Sequence, residues 1–141
     1  MSISENFDSG DKQMKKSHCR NLIRVALADG HLDDIEYQFL VKIGNRFGVS
    51  EEEITEIMNN IDKYHFKPPS NKEDRFLQML NLVRMMMIDG VIDDKEMILC
   101  EKFAVGLGFP MEKTTLIINY LVEAVKKSTD EDDIIEGMNK L

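Results

Sequence analysis

Apolar positions in this chain recur at helical spacing from one end to the other. Cys19, Leu22, Ile23, Ala26 and Leu27 fall on one stripe of a helix predicted from Lys12 to Ala28. Asp29-Gly30 ends it, because glycine takes the left-handed conformation that lets the last carbonyls find donors. Asp33 opens a second helix with Glu36 as its capping-box partner, and Ile35, Phe39, Leu40, Ile43 and Phe47 form the inward stripe as far as Gly48. Ser50 and Glu53 open a third, carrying Ile54, Ile57, Met58 and Ile61. Pro68-Pro69 then interrupts the pattern, since proline lacks the N–H a helix needs and pushes its neighbour to extended backbone. Ser70 with Glu73 restarts it, with Phe76, Leu77, Leu80, Val83, Met86 and Met87 facing inward until Asp89-Gly90. Asp93 with Glu96 caps a fifth helix through Ile98, Leu99, Phe103 and Leu107. Pro110 suits the first turn of a sixth helix, with Ile117, Ile118, Leu121 and Val125. Ser128 with Glu131 opens a short seventh, with Ile134, Ile135 and Met138. No stretch alternates with the period of a strand, so the expected fold is all-α, a single compact bundle of about seven helices.

Within that pattern eight residues occur twice. Asp29-Gly30-His31-Leu32-Asp33-Asp34-Ile35-Glu36 is answered sixty positions later by Asp89-Gly90-Val91-Ile92-Asp93-Asp94-Lys95-Glu96. The match runs upstream without a gap, Leu22-Ile23-Arg24 against Leu82-Val83-Arg84. An internal duplication follows, with two pseudo-symmetric three-helix repeats: a flexible tail over 1–11, repeat one over 12–62, a linker over 63–70, repeat two over 71–127 and a C-terminal helix over 129–141. Three short amphipathic helices are too few to bury their stripes alone, so the halves are expected to pack as one domain.

Composition narrows the function. With 18 basic and 26 acidic residues the chain carries −8, which opposes nucleic acid and anionic membrane surfaces and leaves cations and basic proteins as partners. Two distant cysteines, Cys19 and Cys100, read as free thiols in a reducing compartment. Met1 to Asp11 has no apolar core of a signal peptide, and no apolar run reaches the roughly 18 residues of a membrane span. The location expected is cytoplasmic, with any membrane association through a partner and no direct insertion.

The repeated acidic turn can be read in two ways. Glycine followed by Asp-x-x-Glu stops one helix and starts the next, so Asp33, Glu36, Asp93 and Glu96 need no further role. Asp29 and Asp89 fit less well, because a carboxylate at a helix C-terminus opposes the macrodipole by about 0.3–1 kcal/mol. A bound cation would compensate. The turn matches only the second half of an EF-hand loop: the positions four and two before Asp29 hold Val25 and Leu27, and those before Asp89 hold Met85 and Met87. What remains is an acidic turn offering Asp29, Asp33, Asp34 and Glu36, and again Asp89, Asp93, Asp94 and Glu96, to a weakly held divalent cation of calcium or magnesium type. His31 has Val91 as its counterpart, so the repeated feature does not need it. Met85-Met86-Met87 reads as core filling, and His18-Cys19 lacks the second pair a zinc site requires. Recognisable nucleophile–base pairs, phosphate loops and H-E-x-x-H are absent.

The doubled motif, Ala28-Asp29-Gly30-His31-Leu32-Asp33-Asp34-Ile35-Glu36 and Ile88-Asp89-Gly90-Val91-Ile92-Asp93-Asp94-Lys95-Glu96, resembles the TerB-like family associated with bacterial tellurite resistance. The likeness covers roughly residues 12–141. It implies a helical bundle of two related halves in a stress-response system, with a protein partner that can be membrane-associated. It also implies an acidic surface at Asp29, Asp33, Glu36, Asp89, Asp93 and Glu96 that engages metal ions or partners; Asp34 and Asp94 join them on chemistry alone. Related domains occur fused to J-domains, but this chain has no His-Pro-Asp tripeptide. Tellurite itself is a poor substrate, because carboxylates repel an oxyanion and no reducing cysteine pair is present. The reading expected is a non-enzymatic binding module; the alternatives are an enzyme with a carboxylate-bound metal and a scaffold whose acidic turns are only caps.

Overall fold

Side chains that take up the first free N–H groups set the helix boundaries of this chain. A computed structural model describes residues 8–141, and these form seven α-helices, two 3-10 turns and no strand. Helix α1, Gly10–Leu27, is opened by Ser9, whose hydroxyl accepts from the Lys12 N–H at 3.1 Å. Helices α2, Asp34–Arg46, and α3, Glu51–Asn59, stand behind complete capping boxes, Asp33 with Glu36 and Ser50 with Glu53. After a 3-10 turn at Ile61–Lys63 come α4, Lys72–Met87, and α5, Asp94–Gly106. A second 3-10 turn at Met111–Lys113 leads into α6, Thr114–Lys126, and α7 is Glu131–Met138. None of these helices is long and apolar enough to cross a membrane, among the described residues.

Several starts differ from the sequence expectation. The tail expected over 1–11 falls largely on residues 1–7, outside those described, and α1 already begins at Gly10. Asn71, not Ser70, caps α4: it is the residue with the extended backbone a cap needs, and it accepts from the Asp74 N–H at 3.2 Å. Asp93 caps α5 through the Lys95 N–H at 2.7 Å, and Glu96 does not return the bond. Pro110 precedes the 3-10 turn rather than joining α6. Ser128 ends α6 with a positive φ of 54° instead of capping α7, and Glu131 is drawn away to Arg46 and Arg84 at 2.6 and 3.1 Å.

Helices α1 and α4 lie against each other at the centre, with Leu22, Ile23 and Val25 buried on the one and Leu80, Leu82 and Met86 on the other. On α1 pack α2 and α3; on α4 pack α5, α6 and α7; contacts between α1 and α5 and between α2 and α4 cross the two halves. The linker is stitched to both. Its Lys67 N–H donates to Ser17 Oγ at 2.8 Å, Tyr64 donates to Glu56 at 2.6 Å, and Phe66 meets Phe103 edge-on. Positions sixty apart repeat local geometry: Gly48 and Gly108 both have positive φ, and Val49 and Phe109 donate back to Gly44 O and Ala104 O at 2.7 and 3.0 Å.

The inward stripes of α2 and α5 are turned by about one residue from the expected ones. Ile35 and Ile98 are 49% and 54% exposed, while Glu36, Leu40 and Ile43 are buried on α2 and Glu96, Cys100 and Phe103 on α5. Leu27, expected inside, is 40% exposed, and Val25 is buried in its stead. A Cβ on Gly44 would stand 2.6 Å from Ile54 Cδ1 and 2.9 Å from the Val49 carbonyl oxygen. Sixty positions on, Ala104 faces a helix bearing Thr114 instead of Ile54. Gly44→Ala should therefore destabilise. The helix-propensity gain of about 1 kcal/mol is outweighed by overpacking against backbone, leaving a net loss of about 1–2 kcal/mol. Urea denaturation checks the sign, and a more stable variant would show that α3 yields easily.

Candidate functional site

Each acidic turn begins where a central helix ends. Gly30 and Gly90 take positive φ, and their N–H groups donate to Leu27 O and Met87 O, both at 2.9 Å. Just before them, Asp29 Oδ1 accepts from the His31 N–H at 3.3 Å, and Asp89 Oδ1 from the Val91 N–H at 3.0 Å. These local turns offset part of the cost of a carboxylate at a helix C-terminus. Two residues further, Asp33 and Glu36 exchange bonds at 3.0 and 3.1 Å, whereas Asp93 bonds only forward. Asp34 and Asp94 are exposed on the first residue of their helices.

The two turns act on one another. Burial first, and then the charges of Asp29, Asp89, Glu36 and Asp93, push the Glu96 carboxyl up to about 8. Both turns therefore contribute to the potential at one side chain. Glu36 is pushed up to about 7 by burial, against the Asp33 N–H bond, with the charges of Asp33 and Asp29 adding to the rise. Glu36 and Glu96 are each 2% exposed. Among the described residues, Glu96 accepts no hydrogen bond and none of the eight carboxylates pairs with Lys or Arg. The nearest cation-forming group is His31, with Nδ1 3.9 Å from Asp29 Oδ1 on a largely exposed ring. Arg24 and Arg84, the repeated arginines, turn instead to Asp62 and Glu131 at 2.9 and 3.1 Å.

Two carboxylates away from the turns, Glu131 and Glu53, are compensated by cations. Hydrogen bonding from Arg46, opposed by burial and reinforced by Arg84, holds Glu131 down to about 2. At Glu53 burial works upward, but the Ser50 N–H, Lys12 and Lys16 together hold the carboxyl at about 2. The acidic turns differ from these two. Their negative field is left open, and apolar Leu27, Val91 and Ile92 lie exposed beside it. No three His, Cys, Asp or Glu side chains among the described residues are grouped so as to hold a metal ion.

Comparison with models of known families, with curated proteins and with solved structures finds no match to this chain.

Other sequence candidates lie in the core. Met85 and Met86 are wholly buried, as core filling requires. His18 is buried beside Asn81, Nε2 to Nδ2 3.2 Å, and burial lowers its imidazole to about 3. Cys19 and Cys100 are free and wholly buried, in α1 and α5, and burial first raises each thiol to about 12. The feature that capping logic hid is the burial of Glu36 and Glu96. Its signal was their place four residues before Leu40 and Cys100, on the stripe that packs inward.

Proposed function

We propose that this protein is a non-enzymatic binding module of TerB-like type, built from two pseudo-symmetric three-helix repeats. Its two acidic turns act together on a positively charged partner, in the first place a basic amphipathic segment of another protein in a stress-response system. One observation carries the reading: Glu96, buried and without a hydrogen bond among the described residues, feels both turns at once, and no arginine or lysine answers them. Exposed Leu27, Val91 and Ile92 give a cationic segment apolar surface to cover. A divalent cation bound partly through water is the second reading. Glu96 favours it, because a carboxylate held this way gains most from a hard cation drawn close.

Asp29→Asn with Asp89→Asn tests both. Asparagine keeps the local turn and removes the charge. Calorimetric titration of a lysine- and leucine-rich helical peptide, and separately of calcium, magnesium, manganese and zinc, is expected to show binding to the wild-type chain. The double variant should weaken it about tenfold or more, and added salt should weaken the peptide interaction. Equal affinity for both chains would remove the turns from the site. Absence of any response in the wild-type chain would leave the turns as caps.

A further inference from the structure

A cavity of about 280 Å³ opens beside α4, the turn after α5 and the start of α6. Phe76, Leu107, Phe109 and Ile117 form its apolar wall. Phe76 and Phe109 stack with centroids 5.6 Å apart and planes inclined by 15°. Among the described residues three cationic side chains line it, Lys72, Arg75 and Lys113, and no Asp or Glu does. In a chain of net charge −8 this is the reverse of the general balance. Lys72 Nζ lies 5.4 Å from the centre of the Phe76 ring. Arg75 lies over Gly108, where a Cβ would stand 2.8 Å from Nη1. Its Nη2 donates to Ser70 O at 3.1 Å, while its Nε is buried and meets no acceptor among the described residues.

Residues sixty positions earlier show what is missing here. Lys12, the counterpart of Lys72, donates from Nζ to Gly48 O at 2.5 Å and to Glu53 Oε1 at 3.0 Å. Lys15, the counterpart of Arg75, pairs with Asp11 at 2.9 Å. Lys16 reaches Asp8 and Glu53 at 2.6 and 3.4 Å. In the second half the places of Asp8, Asp11 and Glu53 are taken by Pro68, Asn71 and Lys113, and that of Lys16 by Phe76. Every carboxylate of the first arrangement is gone, two of its three cations are kept in kind, a third is added, and the floor has become aromatic.

From this we infer that the cavity binds an amphiphilic carboxylate of medium chain length, its head among Lys72, Arg75 and Lys113 and its chain along Phe76 and Phe109. A bare anion would answer the charge and leave the aromatic wall wet. A neutral apolar molecule would leave the buried Arg75 Nε without an acceptor and the positive charge of the rim unbalanced. The ligand's head does for the second half what Glu53 does for the first.

Titration of octanoate into the isotope-labelled full chain, followed at the Gly108 and Phe109 amides, tests this, with butyrate and inorganic phosphate as comparison ligands. Octanoate is expected to saturate these shifts, and each methylene beyond butyrate to tighten binding by up to about fourfold. Lys113→Glu, a change at an exposed position, installs an internal carboxylate and should weaken octanoate about tenfold or more. Lys113→Gln should weaken it less. Three results would overturn the inference: no shift at Gly108 or Phe109 at millimolar octanoate, phosphate binding as tightly as octanoate, or undiminished binding to Lys113→Glu.

Discussion

Glu96→Gln should make this protein more stable at pH 8 by about 2–4 kcal/mol and change it by under about 1 kcal/mol at pH 5. The carboxyl is 2% exposed and pushed up to about 8, by burial and then by the charges of Asp29, Asp89, Glu36 and Asp93. An unfolded chain releases the same proton near 4.5. The folded state therefore holds the proton more tightly, and its advantage is whole below 4.5 and lost as pH rises toward 8. Glutamine has no proton to lose, so its benefit grows over that same window. Urea denaturation at the two pH values reads the difference directly. An equal gain at both would assign the effect to packing and not to ionisation. Under the proposed function the same variant should bind a cationic partner less well at about pH 8 and above, where the Glu96 carboxyl gives up its proton and adds to the field that attracts it. Stability and binding would then move in opposite directions, as they do where a site keeps like charges together.

Glu53→Gln is expected to do the reverse and cost about 2–3 kcal/mol at pH 7. Glu53 is held at about 2 by the Ser50 N–H, Lys12 and Lys16, which outweigh the effect of burial. Its contribution is whole above 4.5 and disappears as pH falls from there toward 2. The amide keeps the cap but gives up the charge, so wholly buried Lys16 loses one of the carboxylates that face its ammonium and keeps Asp8 at 2.6 Å. A loss that persisted undiminished near pH 2 would mean that shape, not charge, was the contribution. Measured together, the two glutamines would give stability profiles of opposite slope from one fold.

Much of the architecture was legible because caps are written in side chains. Asp33 with Glu36 and Ser50 with Glu53 form the boxes their spacing announces, and Gly30, Gly48, Gly90 and Gly108 all take positive φ at helix ends. Rotation of the helices was less legible. Ile35 and Ile98 read as inward on hydrophobicity alone, but they stand exposed while Glu36 and Glu96 go inside, and on α2 the tight approach of Gly44 to Ile54 and Val49 fits that rotation. Capping-box spacing gives those glutamates a role at the helix start and says nothing of their burial. That both acidic turns act on Glu96 depends on how α1 and α4 pack, which no residue of either turn records. The cationic cavity was hidden for a similar reason. Lys72, Arg75 and Lys113 belong to separate stretches, and each passes for an ordinary solvated helix charge until its neighbours are known.

The two thiols offer a practical consequence. Because Cys19 and Cys100 are sealed in α1 and α5, with their ionisation raised to about 12, an alkylating reagent can reach either only when its surroundings open. One reporter sits in each half of the chain. Mass spectrometry of partly labelled protein would then act as a clock with two hands: equal rates mean the bundle breathes as a whole, and unequal rates name the half that loosens first.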